Sequence, residues 1–389
     1  MTGRDFVATR GPMAPVKILH LHSSFSLGGK EARAVRLMNA FGDRAVHTIV
    51  SGMPEELGAE ASIAKGIRYE IAQTPPPLTG KPSVARFEAI AGFMRRFDLV
   101  LTYNWGAIDG VMARRAFGKG APPLVHHEDG FNADEAKGLR LDRNIYRRLA
   151  LGAAHALAVP SEVLEGIALK TWKQPRAKVH RIVNGIGTQH YAQAPEAKAI
   201  PGFARQPKEV VIGALAGLRE VKDLAALVRA VGGVSGKVRL VIVGEGPERE
   251  RIKQAAAAMG LADKLVMPGF LERPYRFIGH FDILALSSRS EQFPISVVEG
   301  MAAGLPVASY PVGDVKTMVA AENEPFITLR ADEVRLRDAI QALVSDAGLR
   351  KAVGAANQAK ARAEYDENIM IARYRDLYED ALGRPGALA

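Results

Sequence analysis

Asp282-Ile-Leu-Ala-Leu-Ser-Ser288 runs through Arg289-Ser290 into Glu291-Gln-Phe-Pro-Ile-Ser-Val-Val-Glu299, and then Gly300-Met-Ala-Ala-Gly304. The first segment reads as an apolar strand, the middle as a tight polar loop, and Ser296–Gly304 as a helix of small residues. Open α/β sheets hold anions in this arrangement, because the N–H groups of a first helical turn are unpaired and the helix dipole favours negative charge there. Two carboxylates, Glu291 and Glu299, bracket the loop. They would repel the anion itself, but each can accept from two neighbouring hydroxyls. The stretch therefore reads as a site for a sugar attached to a phosphate.

The same alternation extends in both directions. Strand Val210–Ala216, helix Asp223–Val231, strand Val238–Val243, helix Glu248–Met259 and strand Lys264–Pro268 precede the stretch, and strand Pro306–Ser309 follows it. The pattern also occurs once nearer the N-terminus. Val16–His22 is a strand ending in the polar turn Ser23–Ser26. Leu27-Gly28-Gly29 then opens a helix with Ala32, Val35, Leu37 and Met38 at helical spacing. Strands at Ala45–Val50, Leu99–Tyr103, Pro123–His126 and Ala156–Val159 follow, with helices at Ser83–Arg96 and Ala107–Phe117 among them. Strands alternating with helices predict parallel, doubly wound sheets. The fold class expected is α/β, with two Rossmann-like domains facing across a cleft. The first spans 1–190 and the second 209–365. Residues 191–208, poor in apolar groups and carrying three prolines, are expected to link them. The C-terminal segment 366–389, with a helix at Asn368–Leu382, is expected to dock back on the first domain.

A chain of 389 residues suits two domains of roughly 150–200 residues. It has no cysteine, which excludes disulfides and thiolate metal sites. No apolar run reaches the roughly 18 residues that span a bilayer, and the start of the chain lacks a signal-peptide core. The expectation is a cytoplasmic protein with a short disordered N-terminal extension. Net charge is +10. Residues 1–200 hold 27 Lys and Arg against 18 Asp and Glu, whereas 201–389 hold 25 against 24. The N-terminal excess, carried by Arg95, Arg96, Arg114, Arg115, Lys119, Arg140, Arg143, Arg147 and Arg148, is either a solvated surface or the attraction for an anionic partner, such as an acidic membrane face or a phosphorylated acceptor. Nucleic acid is not expected, because the basic residues are not interleaved with aromatics.

Four further motifs lie at strand ends. Gly28-Gly29 would let backbone approach a ligand closely. Val243-Gly244-Glu-Gly246-Pro-Glu-Arg249 resembles a dinucleotide fingerprint, with Asp263 near the ribose-binding position, but Arg249 replaces its third glycine. It reads better as a turn lining a cleft. Arg219 and Lys222, three residues apart before a helix, could clamp a diphosphate or form an ordinary charged helix start. His126-His127-Glu128-Asp129-Gly130 closes a strand. Adjacent histidines point to opposite faces, so a two-His metal site is awkward and contact with a substrate hydroxyl fits better. No Asp-x-Asp pair is present to hold a divalent ion, so neither metal nor cofactor is expected.

The C-terminal half resembles the retaining glycosyltransferases of family 4, which have the GT-B fold. The resemblance rests on Val241–Pro247, Gly260–Asp263 through Pro268-Gly269-Phe270, Ser288–Glu299, Met301–Val307 and Val312–Val315, in that order. It is strong over 210–320 and weaker at 16–36, Pro160-Ser161 and Val183–Gly185. It implies that Glu299 holds the donor ribose and that Glu291 contacts the transferred hexose. It further implies that Gly269 and Phe270 meet the nucleobase. Backbone around Phe293, Ile295 and Ser296, with Gly28 and Gly29, would approach the diphosphate. Arg219 and Lys222 would neutralise that diphosphate as it leaves. His126, His127 or Asp129 would touch a sugar. Three positions depart from the pattern: Gly217 stands where the family has arginine, Asp129-Gly130 stands for its His-Gly, and Pro294 replaces a glycine, removing an N–H.

The expected activity is metal-independent transfer of a hexose from a nucleoside-diphosphate sugar to a lipid-linked or polysaccharide-precursor acceptor, at or near the inner membrane face. Two alternatives stay open: a nucleotide-sugar epimerase of the same fold, and a non-catalytic protein that binds nucleotide sugars or membrane surfaces.

Overall fold

The computed structural model describes residues 14–131, 135 and 138–389. The N-terminal extension expected to be disordered lies outside these residues. The chain forms two units. The first comprises the described residues up to Val159, Glu165–His180 and Ile371–Ala389; the second comprises Pro160–Leu164 and Arg181–Met370.

The first unit is built on a seven-stranded sheet. Its strands are β1 (Val16–His22), β2 (Ala45–Ser51), β3 (Arg68–Ile71), β4 (Leu99–Tyr103), β5 (Leu124–His127), β6 (Ala156–Val159) and β7 (Val179–Arg181), in the order β3-β2-β1-β4-β5-β6-β7. Pairing is parallel from β3 through β6. All five residues of β4 and six of the seven of β1 are buried, as expected of strands covered on both faces. The helices are α1 (Gly29–Phe41), α2 (Val84–Met94), α3 (Ile108–Phe117), α4 (Leu141–Leu151) and α5 (Glu162–Lys170), the first three residues of α5 belonging to the second unit.

The second unit carries β8 (Val210–Leu215), β9 (Val238–Val243), β10 (Leu265–Gly269), β11 (Ile283–Leu286) and β12 (Val307–Ser309), ordered β10-β9-β8-β11-β12 and all parallel. Its helices are α6 (Leu224–Gly232), α7 (Arg249–Ala258), α8 (Ile295–Ala302), α9 (Val315–Met318), α10 (Glu333–Ser345) and α11 (Ala347–Glu364). In each sheet the strand order reverses once, between β1 and β4 and between β8 and β11. The crevice outside the carboxyl ends at such a reversal is where open α/β sheets bind ligands.

Residues 191–208, read as a linker, are built into the second unit. Tyr191 and Ile200 join its core, and Glu196 pairs with Arg276 at 2.5 Å. The last helix, α12 (Glu367–Leu382), begins in the second unit and continues in the first. There Tyr374 and Tyr378 are buried, and the Tyr378 hydroxyl lies 2.7 Å from His127 Nε2.

Candidate active site

The second unit's crevice is formed by the loops after β8 and β11. Ser287 Oγ donates to Lys222 O at 3.0 Å and Arg289 N–H to Val221 O at 2.8 Å. Arg289 also donates through Nε to Asp223 at 2.7 Å. These bonds lock the two loops together, so Lys222 and Glu291, 69 residues apart, form an ion pair with only 16% and 13% of their side chains exposed. On the far side Asp314 N–H donates to Gln292 O at 3.1 Å. Gly313 sits there with φ +52°, and a Cβ on it would lie 2.5 Å from Gln292 O and 2.7 Å from Glu291 O. Only glycine fits a left-handed position this close to backbone. Asp314 is itself fixed: it accepts from the N–H groups of Glu162 (2.6 Å) and Val163 (3.3 Å) at the start of α5. Burial raises its pKa, and those two N–H groups oppose the rise.

Pro294 opens α8, and no side chain caps the helix. The N–H groups of Ile295 and Ser296 therefore face outward at its positive end. Glu299, one turn further, accepts from the Tyr191 hydroxyl at 3.2 Å. Phe293 is buried against Tyr365, with ring centroids 5.6 Å apart, so its ring anchors the loop and only its backbone faces the site. Phe270 is 61% exposed beside Gly269.

Arg219 is exposed and has no ion-pair partner among the described residues. Its position bears directly on the missing arginine. A Cβ built on Gly217 would lie 3.5 Å from Arg219 Nε. The Arg219 side chain thus folds back to lie in van der Waals contact with the place a Cβ at 217 would take.

The Gly244–Gly246 turn has a packing explanation. Gly244 (φ +147°) would place a Cβ 1.9 Å from Ala216 O, and Gly246 (φ +151°) would place one 2.5 Å from Leu218 O. Leu218 N–H donates to Glu245 O at 2.8 Å, and Glu248 N–H returns a bond to Leu218 O at 3.0 Å. The glycines let the loops after β8 and β9 touch, which is what places Arg219.

In the first unit α1 begins at Gly28, again without a side-chain cap. A Cβ at Gly28 would meet Glu31 Oε2 at 2.8 Å, and Glu31 is buried and paired with Lys30. Gly28 thus lies beside the carboxylate of its own helix.

The two histidines expected to touch a sugar lie inside the first unit. His126 and His127 are 0% and 1% exposed. β5 lies between β4 and β6, and the two side chains project to opposite, covered faces of the sheet. His126 Nδ1 is 2.8 Å from Thr102 Oγ1. His127 stacks on Tyr103 at 4.7 Å and is bonded at both nitrogens, to Thr102 O and Tyr378. Burial pushes the pKa of His127 down, and nearby Arg33 lowers it further. Asp129 forms a two-point pair with Arg33, whose side chain is 3% exposed and lies over Tyr374 at 5.4 Å. Its carboxylate is committed to that guanidinium.

Sequence reasoning assigned no role to Tyr191, Arg289, Asp314 or Arg33. Gly313-Asp314 stood in a quoted motif, and that glycine was the available signal. Nothing local marked Tyr191.

The two parallel-sheet α/β domains in tandem give the chain the GT-B fold. Residues 27–190 match Glycosyltransferase Family 4 and residues 196–360 match Glycosyl transferases group 1. The chain belongs to this glycosyltransferase family. It is 28% identical over 367 residues to the 2-deoxystreptamine N-acetyl-D-glucosaminyltransferase of Streptomyces fradiae, covering 85% of this chain and 86% of that one. It is 28% identical over 163 residues to the lipopolysaccharide core biosynthesis glycosyltransferase LpsD of Rhizobium meliloti, 42% of this chain and 47% of that protein. Among solved structures, HepE of Anabaena in complex with UDP matches with a TM-score of 0.76 at 20% identity, over 94% of this chain and all of that one. Among the described residues, no helix is long and apolar enough to cross a membrane.

Proposed function

We propose that the chain transfers a hexose from a nucleoside-diphosphate sugar, with retention and without a metal ion, to a lipid-linked or polysaccharide-precursor acceptor. The observation that carries this reading is the second unit's crevice. It puts Lys222, Arg219 and the open N-terminus of α8 on the loops that flank one strand reversal, with Glu299 a turn along the helix. Those positive groups suit a leaving diphosphate, whose charge grows as the sugar becomes oxocarbenium-like. Preorganised donors aimed at such charge stabilise the transition state more than the ground state. Glu299 binds the ribose hydroxyls, with the Tyr191 hydroxyl orienting its carboxylate. Glu291 contacts the hexose. Phe270 offers an exposed ring to the nucleobase. Arg219, folded over Gly217, supplies the charge that the family carries at that position. No protein nucleophile is assigned. The HepE complexes with UDP and UDP-glucose make uridine ligands the first to try, and the LpsD relative supports a polysaccharide-precursor acceptor.

Thermal shift and calorimetry with UDP and UDP-sugars test the donor site, because a ligand that binds only the folded state raises Tm. Glu299→Ala should weaken binding of the responding nucleotide by about tenfold or more, as a lost charge-assisted bond does. Parent-like affinity in that variant would remove Glu299 from the ribose role.

A further inference from the structure

Asn104, the first residue after β4, holds a backbone conformation that glycine alone adopts readily, with φ +55° and ψ −174°. Asp223 (φ +43°, ψ +45°) and Arg273 (φ +56°, ψ +70°) also have positive φ, but in the ordinary left-handed helical region. Three hydrogen bonds keep Asn104 in place. Its N–H donates to His127 O at 2.7 Å, its O accepts from Ala107 N–H at 3.1 Å, and its Oδ1 accepts from Asp129 N–H at 2.7 Å. Strain of this kind persists only where neighbours over-determine it, and it concentrates at binding sites.

The last of these bonds fixes the amide. Its partner at Asp129 is a donor, so the oxygen faces that N–H and Nδ2 faces away from it. Nδ2 reaches solvent and has no partner among the described residues. Ser23, the first residue after β1, supplies a hydroxyl from the adjoining turn. A Cβ on Gly106 would lie 2.2 Å from Ser23 Cβ and 3.0 Å from its Oγ, so glycine at 106 lets the turn after β4 close on the turn after β1. Ser23 Oγ also reaches solvent without a partner among the described residues. β1 and β4 flank the strand reversal of the first sheet, so both groups stand at the carboxyl ends where such sheets bind ligands.

The chemistry offered there is neutral. On α1 and the turn after β5, Arg33 pairs with Asp129 and Lys30 with Glu31. A fixed N–H donor beside a hydroxyl suits the oxygens of an uncharged sugar and gives little hold on a phosphate. We propose that Asn104 is a specificity-determining residue for the acceptor: its Nδ2 donates to an oxygen of a neutral acceptor sugar, and Ser23 Oγ makes a second contact. The groups of the proposed donor site lie in the second unit, so a sugar held in the first is the acceptor. That assignment rests on the transfer reading; the sugar site itself does not.

Saturation-transfer NMR of the full chain with methyl β-glucoside, methyl β-galactoside and methyl N-acetyl-β-glucosaminide, without donor, tests it. The parent should bind at least one of the three. Asn104→Asp keeps an oxygen for the Asp129 N–H but turns the free donor into an acceptor, so it should lose at least about fivefold in glycoside affinity. Asn104→Gly removes the amide and relieves the backbone, so it should lose a similar factor while its Tm holds at or above the parental value. UDP affinity should be parental in both variants. Parental glycoside affinity in both overturns the proposal. So does a glycine variant that melts earlier and loses UDP binding as well, which would make Asn104 a folding residue. A parent that binds none of the glycosides overturns it too, and leaves the transfer reading standing if UDP still binds. A parent that binds a glycoside but neither UDP nor UDP-glucose supports the sugar site and overturns the transfer reading.

Discussion

Lys222→Met separates the proposed role of Lys222 in catalysis from its role in the loop. Lys222 and Glu291 are a largely covered ion pair. Removing the ammonium alone leaves the Glu291 carboxylate without its partner at 13% exposure. A fully buried broken pair costs roughly 3–5 kcal/mol, and residual solvent contact lowers the expectation here to about 1–2 kcal/mol. Lys222→Met should therefore melt earlier than the parent. Adding Glu291→Gln removes the stranded charge and should restore most of that stability. The rate should not follow. If Lys222 stabilises the leaving diphosphate, its loss lowers kcat by about 10²–10³, or roughly 3–4 kcal/mol of barrier. Glu291→Gln cannot return a positive charge to the site. The measurements are urea or thermal melts and nucleoside diphosphate release from the donor that raises the parent's Tm, for both single variants and the double. A double variant that regains rate together with stability would show that Lys222 serves only the loop, and the leaving-group argument would fail.

Two further expectations follow from neighbouring features. Arg219→Gln removes an exposed cation that has no ion-pair partner among the described residues, so it should weaken nucleotide binding by about threefold to tenfold and flatten the dependence of affinity on salt, while Tm stays constant; calorimetry at two ionic strengths reads both, and an unchanged salt slope would place Arg219 outside the diphosphate site. Stability of the first unit should fall in mild acid: burial pushes His47 down to about 4, and it pushes His20, His22 and His127 down as well. A depressed folded-state pKa means that the contribution of His47 is whole above the unfolded value of about 6.5 and is lost as pH drops from there through about 4, on the order of 3 kcal/mol. His47→Gln should shallow that fall in urea titrations across the same window, and identical slopes in parent and variant would exclude His47 as the titrating group.

Much of the fold was legible because its signals are local. β1, β4, β8, β9 and β11 are short apolar runs bounded by turn residues, and each appears within a residue or so of its expected limits. β3 was not, because Arg68-Tyr-Glu-Ile71 is an edge strand with three of its four residues exposed, and its alternation is too short to stand out. At the site, local reading found the residues but not their partners. Lys222–Glu291, Tyr191–Glu299, Arg33–Asp129 and His127–Tyr378 join positions 69, 108, 96 and 251 apart. Such pairs come from strand order, and no periodicity within one segment encodes them. The histidines show the cost of that blindness. On sequence, His126 and His127 are polar groups at a strand end. In the fold both are buried, His127 against Tyr374 and Tyr378 of α12 and His126 beside Thr102.

The proposed donor site also depends on which of its cations are engaged before ligand arrives. Lys222 is held by Glu291 and Arg289 by Asp223, while among the described residues no carboxylate pairs with Arg219. A diphosphate carries more charge than one free arginine can balance, so it must draw Lys222 away from Glu291. That exchange frees a carboxylate where the proposed hexose contact lies, and the freed oxygens can accept from sugar hydroxyls instead. Cation and acid are thus redeployed by the same ligand, one to its phosphate end and the other to its sugar end. A nucleoside diphosphate without the sugar would draw Lys222 away but leave Glu291 unsatisfied in a largely covered position. The intact donor satisfies both groups. If Lys222 and Glu291 take the proposed roles, this preference needs no residue beyond the bracketed loop and the turn that faces it, and their pairing would be a part of substrate selection as well as of the resting structure.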